Sequence, residues 1–181
     1  MNYHSVAEIF DDIDGTRARL FQSVEELSDA QQGFRPAPDR WSVAEILEHL
    51  SIIEQRVTKL VAALLDKAES AGQTRAAAGH FAPVSIAEFV EQTRAQKIVA
   101  PESARPTGAR AADSLSALRD SRAALHSLRP RVQQTDCTSA RFPHPAWGPL
   151  NLYQWLLFIG AHEARHLAQI EALKETMSAE R

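Results

Sequence analysis

The spacing of apolar residues is the feature that most restricts the fold of this chain. Apolar side chains recur every three or four positions in four long segments, which run from about Ser5 to Gln32, Ser42 to Leu64, Asp113 to Leu128 and Leu150 to Leu173. This period is that of an α-helix. Because the chain has only seven glycines and few runs of β-branched and aromatic residues, a β-rich fold is disfavoured. The pattern predicts an all-α protein.

Local signals place the ends of the predicted helices. Ser42 is followed three residues later by Glu45, which is the capping-box spacing at a helix start. We expect the first helix to continue to Gln32, before the prolines at 36 and 38 break the pattern. The third helix is expected to end before Pro130, and residues 131–149 are expected to form a loop.

The order of these segments predicts the architecture. Residues from about Glu69 to Ala112 are rich in glycine and proline and carry one short helical pattern, which starts near Ser85. Two helices, a long crossover and two more helices are typical of a four-helix bundle. At 181 residues, we expect a single domain that spans positions 1–181.

Charge and cysteine content exclude several classes of function. The chain has 20 basic and 23 acidic residues without a basic cluster, so we expect no nucleic-acid partner. No apolar run approaches the roughly 20 residues that cross a bilayer, and no signal peptide is evident, so we expect no membrane partner. The single cysteine, Cys137, fits a cytoplasmic location and rules out a thiolate zinc site.

Three histidines are the candidate metal ligands. His162 and His166 are four residues apart, so both imidazoles lie on one face of the last helix. His49 lies on the apolar stripe of the second helix, and a facing helix in a bundle is close enough to complete the site. Three neutral imidazoles leave a coordination position open for water or substrate, as in catalytic zinc sites.

Other interpretations of these histidines remain open. A histidine on an apolar face is often a hydrogen-bonded core residue, and a pair at four-residue spacing also arises by chance. His144 is within reach of the bundle mouth, although a solvated loop position is the simpler interpretation. Surface or packing roles are expected for the remaining histidines, His4, His80 and His126.

The tryptophans have separate expected roles. We expect Trp41 to pack against Ile46 as a hydrophobic staple at the start of the second helix. Trp155, seven residues before His162, is expected to line the bundle near the site. Trp147, in the preceding loop, is the tryptophan most open to a ligand.

The segment from His162 to His166 also fits the H-E-x-x-H pattern of zinc proteases, with Glu163 as general base. The longer protease signature fails, because Gln169 stands where it needs glycine and Ala172 where it needs a third histidine. Only 15 residues follow His166, too few for a further helix with a glutamate ligand. We therefore do not expect a protease.

Three segments resemble motifs of the DinB-like superfamily. They are Arg40–Leu50 in the second helix, Pro143–Gly148 before the last helix and Gly160–Ile170 within it. The resemblance implies an up-down-down-up bundle, with the long crossover between the second and third helices. It also implies that His49, His162 and His166 bind a divalent metal, commonly zinc or nickel.

The resemblance restricts the reaction less than the site. Characterised relatives include transferases and isomerases that use low-molecular-weight thiols such as mycothiol or bacillithiol, whose thiolate a metal would stabilise. The first hypothesis is a metal-dependent enzyme, a thiol-dependent transferase or a hydrolase, acting on a small-molecule substrate, with a homodimer as one assembly. The alternative is a non-catalytic, metal-stabilised bundle that acts as a stress or interaction protein. Cys137 is expected to be incidental to the chemistry.

Overall fold

The structure, a computed structural model, describes residues 2–75, 81–93 and 99–179 and confirms the four-helix bundle. The four long helices are α1 (Val6–Val24), α3 (Val43–Ser70), α5 (Ala111–Gln134) and α6 (Leu152–Ala179). The shorter elements are helix α2 (Asp29–Gly33), helix α4 (Ala87–Thr93), a 3-10 turn (Glu102–Ala104) and strands β1 (Arg141–His144) and β2 (Gly148–Asn151). No described helix is long and apolar enough to cross a membrane.

Ion pairs show that α3 and α5 run in the same direction. Arg122 contacts Glu54 at 3.1 Å between Nε and Oε1, and further along both helices Arg131 contacts Glu69 at 3.0 Å between the same atom types. The residue numbers rise along both helices from the first pair to the second, so the helices are parallel. A parallel connection between them requires the long crossover at residues 71–110.

Helices α1 and α6 are also parallel, and α3 runs against α6. Arg17 of α1 pairs with Glu163 of α6. Further toward the C-terminal ends of both helices, Ser23 donates a hydrogen bond to Glu171. In contrast, the apolar cluster near the start of α3 includes residues near the end of α6, such as Ile170. The directions are therefore up, down, down and up, as the resemblance implied.

A layer of charge divides the core of the bundle. One apolar cluster lies on the side of Ile13 and the other on the side of Leu20, and Arg17 lies between these two residues on α1. The other long helices repeat this arrangement, with Glu54 on α3, Arg122 on α5 and Glu163 on α6. We call these four residues the charged quartet.

The charged quartet contains two positive and two negative residues, and Arg122 also pairs with Asp14 at 3.0 Å on its outer side. Arg17 pairs with both glutamates, and Arg122 also pairs with both, at 3.1 Å to Glu54 and 3.4 Å to Glu163. All four residues are buried. Of the remaining guanidinium N–H groups, Nη1 of Arg17 donates to the carbonyl of Leu118 at 2.6 Å. Buried charges are tolerated because they are paired and hydrogen-bonded in this way.

The first helix is shorter than the sequence pattern predicted. Helix α1 ends at Val24, and a separate short helix begins after Ser28. The Ser28 hydroxyl accepts from the backbone of Gln31, and the Gln31 side chain accepts from the backbone N–H of Ser28 at 3.0 Å. This capping box starts a new helix, so the prediction of one helix to Gln32 is wrong.

The prediction that the third helix ends before Pro130 is also wrong. Helix α5 continues to Gln134 with Pro130 inside it. Beyond the proline, Val132 is fully buried in the core and Arg131 pairs with Glu69. These tertiary contacts offset the hydrogen bond that a proline removes from a helix.

The predicted loop at 131–149 contains a β-hairpin, whereas the predicted short helix near Ser85 is present. In the hairpin Pro143 faces Pro149, and Gly148 adopts a positive φ of 70°. Prolines in a sequence argue against a strand. A two-stranded hairpin tolerates them, because each of its strands is an edge strand with one side free of ladder hydrogen bonds. Helix α4 begins where expected, with the Ser85 hydroxyl accepting from the N–H of Ala87 at 3.1 Å.

We expect Arg122→Met to destabilise the bundle strongly. The substitution leaves two buried carboxylates to share one guanidinium, so the free energy of unfolding should fall by about 3–5 kcal/mol. Urea unfolding followed by circular dichroism at 222 nm measures this change. Arg110→Met, which breaks an exposed pair with Asp113 at the start of the same helix, should leave the urea midpoint unchanged. Equal midpoints for both variants would contradict a structural role for the charged quartet.

Candidate metal centre

The structure brings the three predicted histidines together. The Nε2 atom of His162 lies 3.2 Å from Nε2 of His49 and 3.2 Å from Nε2 of His166. All three candidate ligand atoms lie within 4.8 Å of one another. Tetrahedral zinc with nitrogen ligands at 2.0–2.1 Å places those nitrogens about 3.3 Å apart. The two 3.2 Å distances match this spacing, and the separation of at most 4.8 Å keeps the third pair close enough to share one metal ion.

Hydrogen bonds orient two of the three imidazoles. Nδ1–H of His49 donates to the carbonyl of Ala104 at 2.7 Å, and Nδ1–H of His166 donates to Oε1 of Gln169 at 2.8 Å. With the proton held on Nδ1, the Nε2 lone pair of each ring is free to bind a metal. Such outer hydrogen bonds are typical of metal-ligating histidines.

Burial keeps the three imidazoles neutral. Desolvation lowers the pKa of His49, lowers the pKa of His166 to about 4 and lowers the pKa of His162 well below its usual value. For His162 and His166 the neighbouring histidines lower the pKa further, since the charge of one protonated ring disfavours protonation of the next. Neutral imidazole is the form that coordinates metals, so at neutral pH the three rings are in the protonation state that binds a cation.

The crossover supports the site through Glu48, the residue next to His49. The Glu48 carboxylate accepts four hydrogen bonds of 2.7–2.9 Å, from the hydroxyl and N–H of Thr107 and from the N–H groups of Gly108 and Ala109. This holds the crossover against α3, three residues after the carbonyl that orients His49. The sequence pattern assigned no role to residues 69–112, because their apolar period is weak.

Aromatic rings cover the cluster on two sides. The Trp41 ring lies 4.9 Å from the His49 ring and 6.3 Å from the His166 ring, and Phe158 stacks on His162 at 5.3 Å between ring centroids. Trp41 also packs against the apolar cluster that contains Ile46, which agrees with its predicted packing role. The contact between Trp41 and two candidate ligands was not predicted, since it depends on how α3 meets α6.

The hairpin brings His144 to the mouth of the site. Its ring lies 4.8 Å from Phe158, 4.8 Å from Trp147 and 5.3 Å from Trp155, and the side chain is half-buried rather than solvated. Trp155 is buried near the site, as expected, and its indole N–H donates to the carbonyl of Phe142 at 3.3 Å. Trp147 is half-buried, so part of its ring stays exposed, and its expected contact with a ligand stays a prediction.

The remaining candidates lie outside the cluster. His4 is exposed and His126 pairs with Asp14 at 2.9 Å, which agrees with surface and packing roles, whereas His80 lies outside the described residues. Cys137 is buried, and burial raises the pKa of its thiol to about 11. A thiol with so high a pKa is a poor nucleophile, as expected for an incidental cysteine.

Glu163 belongs to the charged quartet and does not face the metal ligands as a general base. One carboxylate oxygen pairs with Arg17 and the other with Arg122, and the residue is only 2% exposed. The H-E-x-x-H pattern therefore lacks the free carboxylate that a zinc protease requires. A small cavity beside His162 and Glu163 has a volume of about 10 Å³, which is room for one water molecule.

Comparison with family models shows which protein family the chain is related to. The model of the DinB superfamily matches residues 12–170. The chain belongs to the DinB superfamily. The matched region of this DinB protein contains His49, His162 and His166, and it also contains every member of the charged quartet.

Individual proteins are similar to this DinB chain over most of its length. The uncharacterized protein YuaE of Bacillus subtilis (strain 168) is 29% identical over 169 residues, which cover 88% of this chain and 93% of YuaE. The crystal structure of TT2238, a four-helix bundle protein, matches with a TM-score of 0.60 and 20% identity, covering 93% of this chain and 99% of TT2238.

YfiT from Bacillus subtilis also shares this fold. It is described as a probable metal-dependent hydrolase with an unusual four-helix bundle topology. It matches the DinB chain with a TM-score of 0.61 and 17% identity, covering 96% of this chain and 87% of YfiT. At these identities, both structures support the bundle fold.

We expect Glu48→Gln to weaken the attachment of the crossover in this DinB protein. Burial alone would raise the pKa of Glu48, but the hydrogen bonds from Thr107, Ala109 and Gly108 outweigh it and lower the pKa from its ordinary value. Hydrogen bonds to a charged group stabilise more than neutral ones, so the free energy of unfolding at pH 7 should fall by about 2–3 kcal/mol.

The lowered pKa also sets the pH dependence of this effect. The carboxylate stabilises the fold fully above pH 4.5 and loses its contribution as the pH falls through the lowered folded-state pKa. The difference between Glu48→Gln and the wild type, from urea unfolding at several pH values, should therefore shrink in acid. Glu26→Gln, at an exposed position, is the control. A difference that stays constant down to pH 3 would contradict this assignment.

Proposed function

We propose that this protein is a metal-dependent enzyme that holds one divalent ion with His49, His162 and His166. The supporting observation is the meeting of three Nε2 atoms within 4.8 Å in the interior of a bundle. Two of the rings are already oriented by the hydrogen bonds to Ala104 and Gln169, so little ordering is needed when the ion binds.

The ligand chemistry favours zinc or nickel. All three donors are imidazole nitrogens, which suit both ions, whereas calcium and magnesium prefer oxygen ligands. Within residues 2–75, 81–93 and 99–179, no fourth histidine, cysteine or carboxylate joins the group. Three protein ligands leave a position for water or substrate, which is the pattern of catalytic sites rather than of closed structural ones.

The favoured reaction is hydrolysis of a small molecule. A bound divalent ion would supply Lewis acidity that activates a water molecule or a thiol. The chain's own residues would hold the site: His49, His162 and His166 would be the ligands, and the rings of Trp41 and Phe158 pack against them. The description of YfiT as a probable metal-dependent hydrolase supports this choice.

A thiol-dependent transferase is the second candidate. One observation restricts it: Cys137 is buried in the core and its thiol has a raised pKa. The thiol would therefore have to come from a low-molecular-weight cofactor that enters the site from outside. The non-catalytic alternative, a metal-stabilised stress or interaction protein, requires a closed coordination shell, and among the described residues the cluster offers three ligands.

We expect each of His49→Ala, His162→Ala and His166→Ala to lose the metal. Removing a ligand should reduce zinc or nickel affinity by more than the 10–100-fold that is typical of outer hydrogen-bonding partners. Each double variant should bind little worse than the weaker single variant, because ligands of one ion are not additive. Metal content per chain after chelation and reloading measures this, with His4→Ala and His126→Ala as controls. Full occupancy in His49→Ala would remove α3 from the site.

We expect the metal to keep an exchangeable position. In protein loaded with Co²⁺, added azide should change the visible absorption spectrum, because the anion replaces a weakly held fourth ligand. The titration should saturate in wild-type protein and be absent in His166→Ala, which no longer holds the ion. A Co²⁺ spectrum that azide does not alter would indicate a closed shell and would favour the non-catalytic alternative.

A further inference from the structure

Access to the candidate metal centre runs past one of its three histidines. His49 and His166 are only 4% and 7% exposed, whereas His162 is half-buried. A molecule that reaches the centre from solvent therefore approaches on the side of His162. Phe158, one turn earlier on α6, stacks on the His162 ring with an interplanar angle of 19°.

Two rings from the hairpin extend this surface. His144 lies 4.8 Å from Phe158, and Trp147 meets Phe158 edge-on at 5.5 Å. His144 and Trp147 are themselves stacked at 4.8 Å between centroids. We call Phe158, His144 and Trp147 the aromatic wall, which is continuous with the ligand His162.

The aromatic wall keeps exposed surface although it also packs against the core, where Phe89 of α4 stacks on Trp147 at 5.8 Å between centroids. Leu150 is fully buried, and Trp155 is buried with its indole hydrogen-bonded to the hairpin backbone, so these two residues already attach the hairpin to α6. The three rings of the wall are each only half-buried. Grouped aromatic side chains that keep exposed surface beside a polar centre are typical of ligand sites.

The aromatic wall is uncharged. Nδ1 of His144 accepts hydrogen bonds from the backbone N–H groups of Ala146 and Trp147, both at 3.2 Å. The ring proton therefore lies on Nε2, and the imidazole is neutral. Such a surface favours a flat apolar group, because aromatic rings pair well in offset-stacked or edge-on arrangements.

We propose that the aromatic wall binds an aromatic or flat apolar group of a small molecule whose polar end occupies the open coordination position of the metal. The inference rests on the proposed function, because it takes the metal centre as the anchor for the polar end. It adds the substrate class: a molecule with a metal-binding oxygen group joined directly to a planar apolar one.

The test compares two hydroxamates that carry the same metal-binding group. Acetohydroxamate has a methyl group where benzohydroxamate has a phenyl ring, so the ratio of their affinities reports the contribution of the wall. Wild-type protein loaded with Co²⁺ is titrated with each compound and followed by visible absorption. A small tris-imidazole Co²⁺ complex gives the ratio that the metal produces without a protein wall.

We expect the preference of wild-type protein for benzohydroxamate to exceed that of the tris-imidazole complex by about tenfold or more. Phe158→Leu and Trp147→Leu, which keep apolar side chains but remove rings, should bring the ratio close to that of the tris-imidazole complex. Phe142→Leu is the matched control, because this ring is on the same hairpin, is 49% exposed and contacts Trp155 instead of the wall. Its ratio should equal that of the wild type.

Failure of the inference differs from failure of the proposed function. A wild-type ratio equal to that of the tris-imidazole complex, with both hydroxamates binding, would overturn the aromatic subsite and leave the metal centre intact. A ratio that Phe142→Leu lowers as much as Phe158→Leu does would also overturn it. Absence of Co²⁺ uptake, or a Co²⁺ spectrum unaffected by either hydroxamate, would overturn the proposed function and the inference together.

Discussion

The ion pairs among Arg17, Glu54, Arg122 and Glu163 are the constraint on which the rest of this bundle depends. Each long helix contributes one charge to this layer, and each carboxylate meets both guanidinium groups. Apolar side chains still make favourable contacts when one helix slides past another. Buried charges lose their partners in any other alignment, and an unpaired buried charge is strongly destabilising. The charged quartet therefore selects one axial alignment of the four helices.

That alignment also assembles the candidate metal centre. Glu163 lies between His162 and His166 on α6, and Glu54 follows His49 by little more than one turn on α3. When the arginines bring the two glutamates to one level, His49 is brought opposite the histidine pair. The crossover then completes the site, since Glu48 holds residues 107–109 and the nearby carbonyl of Ala104 orients His49.

The surroundings of Glu163 show why a short motif does not define a function. In the sequence, Glu163 occupies the general-base position of the H-E-x-x-H pattern. In the structure its carboxylate is committed to two arginines and points into the core, so the same five residues serve a different site. A fold hosts many reactions, so the function of this chain is argued from the three-histidine cluster and its surroundings rather than from the five-residue motif.

The sequence by itself determined the features that depend on local spacing. The four apolar periods, the capping box at Ser42 and the shared face of His162 and His166 each follow from helix geometry within a few residues. The charged quartet is also visible in the sequence, because each member is a charged residue at a core position of an apolar stripe. The spacing of these residues does not identify their partners. Only the tertiary structure decided those pairs, the continuation of α5 past Pro130, the proline hairpin and the crossover contacts with Glu48. These features depend on energies between residues far apart in the chain, which become defined only when the helices pack.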